Sequence, residues 1–216
     1  MSDQPITTFP GDEIDVRWDK RLCIHVSECV TANNTLFDGG REPWCVPNDV
    51  SRAEVRDVCE RCPSGALSYT DKTGAAEQAP DENTVTPVYN GPLYATGRLD
   101  IDGAQPDMQG VSYRAALCRC GASKNKPFCD NSHLDASFQD FGAVGDKGPG
   151  LTATGGPLKV RSMPNGPLIV EGNLTIRAGS GRTAWQGEKA VLCRCGASKK
   201  KPFCDGSHKK AGFEAE

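Results

Sequence analysis

Histidine is scarce in this chain, aromatic side chains are few, and no apolar run approaches the roughly 18 residues of a membrane-spanning helix. There are three histidines, and Phe, Trp and Tyr together make up 6% of 216 residues. With a mean hydropathy of −0.49, this argues against one large apolar core. Positive charge is not in excess either: 25 Lys and Arg against 28 Asp and Glu give a net charge of −3. That balance gives no reason to expect nucleic acid or an anionic membrane as a partner. The first residues, "MSDQPITTFPGDEIDV", have neither the basic start nor the apolar stretch of an export signal, so a reducing, cytoplasmic setting is expected.

Glycine and cysteine, by contrast, are abundant, at 24 and 11 residues. Units below about 70 residues usually need disulfides or metal to stay folded. Here metal fits better, because reduced thiols become ligands, and cysteines one residue apart rarely close on each other. An odd cysteine count also leaves one thiol outside any all-disulfide scheme.

The cysteines are organised by a repeat. "CRCGASKNKPFCDNSH" at 118–133 and "CRCGASKKKPFCDGSH" at 193–208 differ at two positions, and the same offset of 75 lays "GPLYATGRLDI" (91–101) on "GPLIVEGNLTI" (166–176). The repeat therefore includes more than the ligands. Alternation in Leu99 and Ile101, and in Leu168 and Val170, predicts short strands, followed by a cysteine loop and a short helix. Two such units would most economically pair their sheets as a pseudo-twofold body. The segment 71–84 is read as a linker, 85–141 as the first unit, glycine-rich 142–156 as a second linker and 157–216 as the second unit. In 1–70, "EIDVRW" and "ALSYT" read as strands and "WCVP" as a further one. Ser51 with Glu54 three residues later forms a capping box opening a helix. The overall expectation is α+β.

Each repeat offers C-x-C, eight residues, C, three residues, H: Cys118, Cys120, Cys129, His133 and Cys193, Cys195, Cys204, His208. Three thiolates and an imidazole suit zinc or an iron–sulfur cluster, although zinc sites favour wider cysteine spacing. All three histidines lie within four residues of a cysteine. Asp130 and Asp205 are candidates to cap the short helix or orient the histidine. Lys124, Lys126 and Lys199 to Lys201 are read either as a solvated face or as charge facing an acidic partner.

The string C-x-C-x2-S-x3-P-x-C-D-G-S-H at 193–208 resembles the signature of the CDGSH iron–sulfur (mitoNEET-like) family. The resemblance implies a [2Fe–2S] cluster in each unit. Cys193 and Cys195 would hold one iron and Cys204 and His208 the other, with Cys118 and Cys120, then Cys129 and His133, in the same roles. It also implies an intertwined strand layer between the two units. Asn131 stands where the signature has glycine; asparagine tolerates positive φ, so the turn should survive. One histidine in place of a thiolate makes the oxidised cluster less negative, which raises its potential and exposes the metal–nitrogen bond to protonation.

Residues 13–70 resemble the divergent single-cluster ferredoxin domain, on "CIHVSECV" and "CPSGAL". That resemblance implies a [3Fe–4S] or [4Fe–4S] cluster on Cys23, Cys29 and Cys62. Val26 occupies the place of the middle cysteine, leaving His25, Cys59 or no residue as the fourth ligand, with His25 or an open corner favoured. Cys45 is read as core. No nucleotide loop or nucleophile–base motif is present. The expectation is therefore a non-enzymatic electron-transfer protein, monomeric with an internal pseudo-dimer, meeting redox partner proteins or apo-acceptors; the alternatives are cluster storage or transfer, and a zinc-binding interaction module.

Overall fold

The computed structural model describes residues 4–74 and 76–215. Its N-terminal part is a three-stranded antiparallel sheet of β1 (Ile6–Phe9), β2 (Ile14–Asp19) and β3 (Leu67–Asp71), in that order. The expected strands in "EIDVRW" and "ALSYT" are β2 and β3, and β1 is an addition. Between them lie α1 (Glu28–Ala32) and α2 (Arg52–Glu60). The expected capping box is present: the Glu54 N–H donates to Ser51 Oγ at 3.3 Å and the Ser51 N–H to Glu54 Oε2 at 3.0 Å. Such a cap satisfies two N–H groups that the first helical turn leaves open. Helix α2 buries Val55, Val58 and Cys59 against Phe9, Ile14, Val16 and Leu67. "WCVP" is not a strand. Cys45 makes a single bridge to Phe37, after which a 3-10 turn runs over Pro47–Asp49, since proline lacks the N–H that a ladder needs.

The repeats build the second sheet. The first contributes β4 (Thr84–Pro87), β5 (Leu93–Thr96), β6 (Arg98–Ile101), β7 (Arg114–Leu117) and α3 (Ser132–Asp135). The second contributes β8 (Pro157–Ser162), β9 (Leu168–Arg177), β10 (Thr183–Leu192) and α4 (Ser207–Lys210). The order is β6-β8-β9-β4-β5-β7, with β10 also on β9. The units exchange strands. β4 lies parallel to the second half of β9, with Val85 opposite Ile176, and β8 lies parallel to β6, with Val160 opposite Ile101. Each of these pairs is the other displaced by the repeat offset, so the expected pseudo-twofold body is present.

One apolar core spans both units, with Val85, Leu93, Leu117 and Ile101 from the first meeting Leu158, Val160, Leu168 and Ile176 from the second; Leu22 and Ala66 of the N-terminal part join it. The glycine-rich segment 142–156 lies along this body. Val144 is buried in the core, and Gln186 exchanges backbone hydrogen bonds with Lys147 and Gly150. No helix among the described residues is long and apolar enough to cross a membrane.

A fully buried asparagine holds the exchanged strands in register. The Asn83 amide donates to the carbonyls of Gly156 (3.1 Å) and Asn173 (2.9 Å), and its oxygen accepts from the Arg98 N–H (3.0 Å). Gly97, at φ +143°, leaves room for it: a Cβ there would stand 2.1 Å from Asn83 Oδ1. Gly97→Ala is therefore expected to cost about 2–4 kcal/mol, from backbone strain and the displaced amide, read as a lowered urea midpoint. Gly39→Ala, whose Cβ meets nothing within 4 Å, should leave the midpoint within error.

Candidate metal centres

In each repeat the C-x-C pair follows directly on a strand, so period-two alternation puts both cysteines on one side and the arginine between them on the other. Cys118 Sγ and Cys120 Sγ are 3.7 Å apart, and Cys193 Sγ and Cys195 Sγ 3.8 Å. The third cysteine and the histidine form a second pair. Cys129 Sγ is 3.5 Å from His133 Nδ1, and Cys204 Sγ is 3.4 Å from His208 Nδ1. Two ligands of one tetrahedral ion stand about 3.8 Å apart for two sulfurs and about 3.5 Å for sulfur and nitrogen, given bonds of about 2.3 and 2.0 Å. Each pair is thus spaced to hold one ion. Among the described residues no three His, Cys, Asp or Glu side chains gather as a single-ion site requires. Two such pairs in each repeat are a donor set that suits an iron–sulfur cluster.

The helix holding the histidine begins with a left-handed residue, Asn131 at φ 69° in one unit and Gly206 at φ 82° in the other. Asparagine therefore preserves the turn, as expected. The two aspartates serve the loop, not the histidine: Asp130 accepts from the N–H groups of Ser132 (3.0 Å) and Lys124 (2.8 Å), and Asp205 from those of Ser207 (3.0 Å) and Lys199 (2.8 Å). Burial, with Arg119 adding, lowers the affinity of His133 for a proton. Burial also pushes the Cys129 thiol up to about 11 and raises Cys193, so metal loading must displace protons.

The buried arginines are functional positions that spacing did not single out. Arg119 is 1% exposed; its Nε donates to the Gly91 carbonyl at 2.7 Å, it pairs with Asp140, and it lies 5.1 Å from the Phe138 ring centre. Arg194 repeats this, donating to Gly166 O at 3.0 Å beneath Phe213. Lys201 of the second unit covers the same Phe138, and Lys126 of the first covers Phe213. Each phenylalanine is thus held by an arginine of its own repeat and a lysine of the other. The cysteine loops meet in the same region, Cys120 bridging to Cys195. Identical letters inside both motifs were the available signal for the arginines.

In the N-terminal part, Cys23, His25, Cys29 and Cys62 line one cavity of about 240 Å³, with Trp18 and Trp44 on its wall. His25 and Ser27 take left-handed backbone (φ 49° and 61°), and His25 Nδ1 stands 3.8 Å from Cys23 Sγ. Cys59 and Cys45 are not on this wall. Both belong to the domain core, where burial raises Cys59 and pushes Cys45 up to about 12. The three thiols and the imidazole are a suitable donor set for an iron–sulfur cluster.

This cavity adjoins the first repeat. Ile24, between Cys23 and His25, packs on Cys129, Ala116 and Tyr94. Asn131 Nδ2 donates to Ile24 O at 2.7 Å, and Asn125 Nδ2 to Arg21 O at 2.7 Å. Arg114 reaches across to the carbonyls of Cys62 (3.0 Å) and Leu67 (3.2 Å). Asn125 and Asn131 are the two positions at which the repeated motifs differ, Lys200 and Gly206 replacing them in the second.

Comparison with known proteins agrees with this division. A family model described as "Divergent 4Fe-4S mono-cluster" matches residues 9–72, and one described as "Iron-binding zinc finger CDGSH type" matches residues 90–134 and 165–209. The chain is also 42% identical over 64 residues to "Uncharacterized protein YjdI" of Escherichia coli strain K12, and equally to that of Escherichia coli O157:H7; the match covers 30% of this chain and 84% of each relative. The chain therefore carries two CDGSH iron-binding units in tandem behind a divergent 4Fe–4S mono-cluster domain.

Proposed function

We propose that the protein is a one-electron carrier, not an enzyme, with a [2Fe–2S] cluster in each CDGSH unit and one [3Fe–4S] or [4Fe–4S] cluster in the N-terminal domain. The observation that supports it best is the pairing of ligands into two two-ligand halves in each repeat. In this reading Cys118 and Cys120 hold one iron and Cys129 and His133 the other, with Cys193, Cys195, Cys204 and His208 in the same roles. Cys23, Cys29 and Cys62 hold the third cluster, with His25 beside them. All eleven cysteines are free, which favours a reducing compartment such as the cytoplasm.

In this reading the first CDGSH unit lies between the other two centres. It touches the N-terminal cavity through Ile24 and Cys129 and the second unit through Cys120 and Cys195. The fixed cations Arg119 and Arg194, buried behind the C-x-C pairs, offset the negative charge of thiolate-bound clusters in a region of low dielectric. A second reading, cluster donation to apo-proteins, is favoured by one observation: Cys204 and His208 are half-buried, whereas Cys129 and His133 are buried. Reversible redox cycling without loss of colour supports the carrier; transfer of the chromophore to an apo-ferredoxin supports donation.

Protein purified without oxygen should contain about seven or eight irons with matching acid-labile sulfide, and dithionite should produce EPR signals of more than one cluster type. A colourless zinc protein would overturn the reading. His208→Cys should retain a cluster and lower its midpoint potential by on the order of 100 mV, measured by redox titration against the unaltered protein; an unchanged potential removes His208 from the ligand set. Cys59→Ser should leave the iron content of the N-terminal centre unaltered, whereas Cys62→Ser should abolish that centre's EPR signal.

A further inference from the structure

The repeats carry the same ligands yet present different surroundings, and one face of each shows the difference most directly. On the first unit this face holds the N-terminal domain through Arg114, Ala116, Asn125 and Asn131. The equivalent positions on the second unit, 75 residues on, are Lys189, Val191, Lys200 and Gly206. Where Arg114 is buried against domain carbonyls, Lys189 is 63% exposed and pairs with Glu171 of its own sheet. Where Ala116 is covered by Ile24, Val191 is 36% exposed. Ile24 packs on Tyr94, Ala116 and Cys129 in the first unit. Of their counterparts, Val191 lies opposite Ile169 and its carbonyl accepts the Cys204 N–H at 2.8 Å, and the three form an apolar patch left half-buried or exposed where the first unit's is covered.

Charge separates the two faces further. On the same cysteine loop and histidine helix Lys199, Lys200, Lys209 and Lys210 are exposed, and among the described residues none has an ion-pair partner. The corresponding positions of the first unit are Lys124, Asn125, Leu134 and Asp135. A surface of this kind, an apolar patch with exposed lysines on the same cysteine loop and histidine helix beside a half-buried ligand pair, attracts an acidic protein by its field and accepts an apolar side chain.

We infer that the second CDGSH unit is the docking port for an acidic partner protein, which sits on it in the pseudo-twofold equivalent of the place the N-terminal domain occupies on the first. The partner presents carboxylates beside one projecting aliphatic side chain, which packs there as Ile24 packs on the first unit. The inference rests on the carrier reading only for what crosses the interface; the docking face follows from the surface itself. A second copy of the chain would have to free its own Ile24 to occupy the port, so the partner is a different molecule.

The test uses the full holoprotein and two one-electron probe proteins of opposite charge, an acidic flavodoxin and basic cytochrome c. Stopped-flow electron exchange with the flavodoxin should slow as ionic strength rises. It should also fall about tenfold or more in the variant Lys199→Glu, Lys200→Glu, Lys209→Glu, Lys210→Glu. Exchange with cytochrome c should rise in that variant. Val191→Asp should weaken flavodoxin exchange at all salt concentrations, and Lys124→Glu on the first unit should leave it unchanged. These side chains are exposed, and an unaltered visible spectrum verifies that each variant retains its clusters. Equal loss from Lys124→Glu, or no change in the four-lysine variant, overturns the port. If dithionite titration finds the clusters redox-inert, the carrier reading fails by itself. The port is then read from equilibrium binding of the same two proteins, where tenfold weaker flavodoxin binding by the four-lysine variant supports it and unchanged binding overturns it.

Discussion

Strand exchange between the two repeats is the constraint on which the rest of the structure depends. Neither unit completes its sheet alone: β4 needs the second half of β9, and β8 needs β6. A short strand left with an open edge is unstable in water and prone to wrong pairing. Exchanging strands within one chain joins both units into one seven-stranded sheet and merges their apolar faces into one core. The same exchange sets the two cysteine loops side by side, Cys120 against Cys195, so the relation between the metal centres is fixed by the sheet and not by the loops. The cross-repeat lysines over Phe138 and Phe213 reinforce that link from within the same loops.

A structure built on pseudo-symmetry makes every departure from symmetry informative. The ligands, the aspartate behind the third cysteine, the buried arginine and the loop serine are the same in both units: Ser123 and Ser198 each donate to the backbone carbonyl of the following phenylalanine, at 2.6 and 2.7 Å. The departures gather where the N-terminal domain sits. Gly110, whose backbone abuts Gly65 so closely that a Cβ would stand 2.2 Å from the Gly65 carbonyl oxygen, corresponds to Trp185 in the second unit. A tryptophan cannot occupy that approach, and a glycine in the second unit would leave the strap at 142–156 without the ring beside Gly148. One copy has been shaped to receive a domain, and the other to cover itself.

Much of this was legible in the sequence because its signals were local or exactly repeated. The offset of 75 gave the two units, the motif gave the ligand candidates, and Ser51 with Glu54 gave α2. Asn131 was legible as a residue able to hold positive φ, but its amide to Ile24 was not, because that contact joins residues 107 apart. Asn125 was passed over for the same reason. "WCVP" misleads as a strand because its short apolar run ends in Pro47, which turns the chain into a 3-10 segment. Cys59, one helical turn before Cys62, looked eligible as a ligand. The helix phase puts Cys59 on the apolar stripe with Val55 and Val58, a placement that spacing alone does not give.

The expectation that metal staples hold two small domains also needs a different physical account. Low aromatic content and negative hydropathy suggested units too small to fold without ligands, but that argument treats each unit as having its own core. Pooling Val85, Leu93, Leu117, Leu158, Leu168 and Ile176 into one interior raises the buried fraction of each apolar side chain without adding any, as fusing small domains does generally. The β-body therefore has a source of stability that is independent of the ligands. What metal contributes is the fixed approach of the loops: four cysteine and histidine groups per unit, several of them desolvated, whose thiolates gain a compensating cation when metal is bound. Fold and cofactor are thus separable in the body and coupled in the loops, and the loops adjoin both the N-terminal domain and the exposed patch with its lysines.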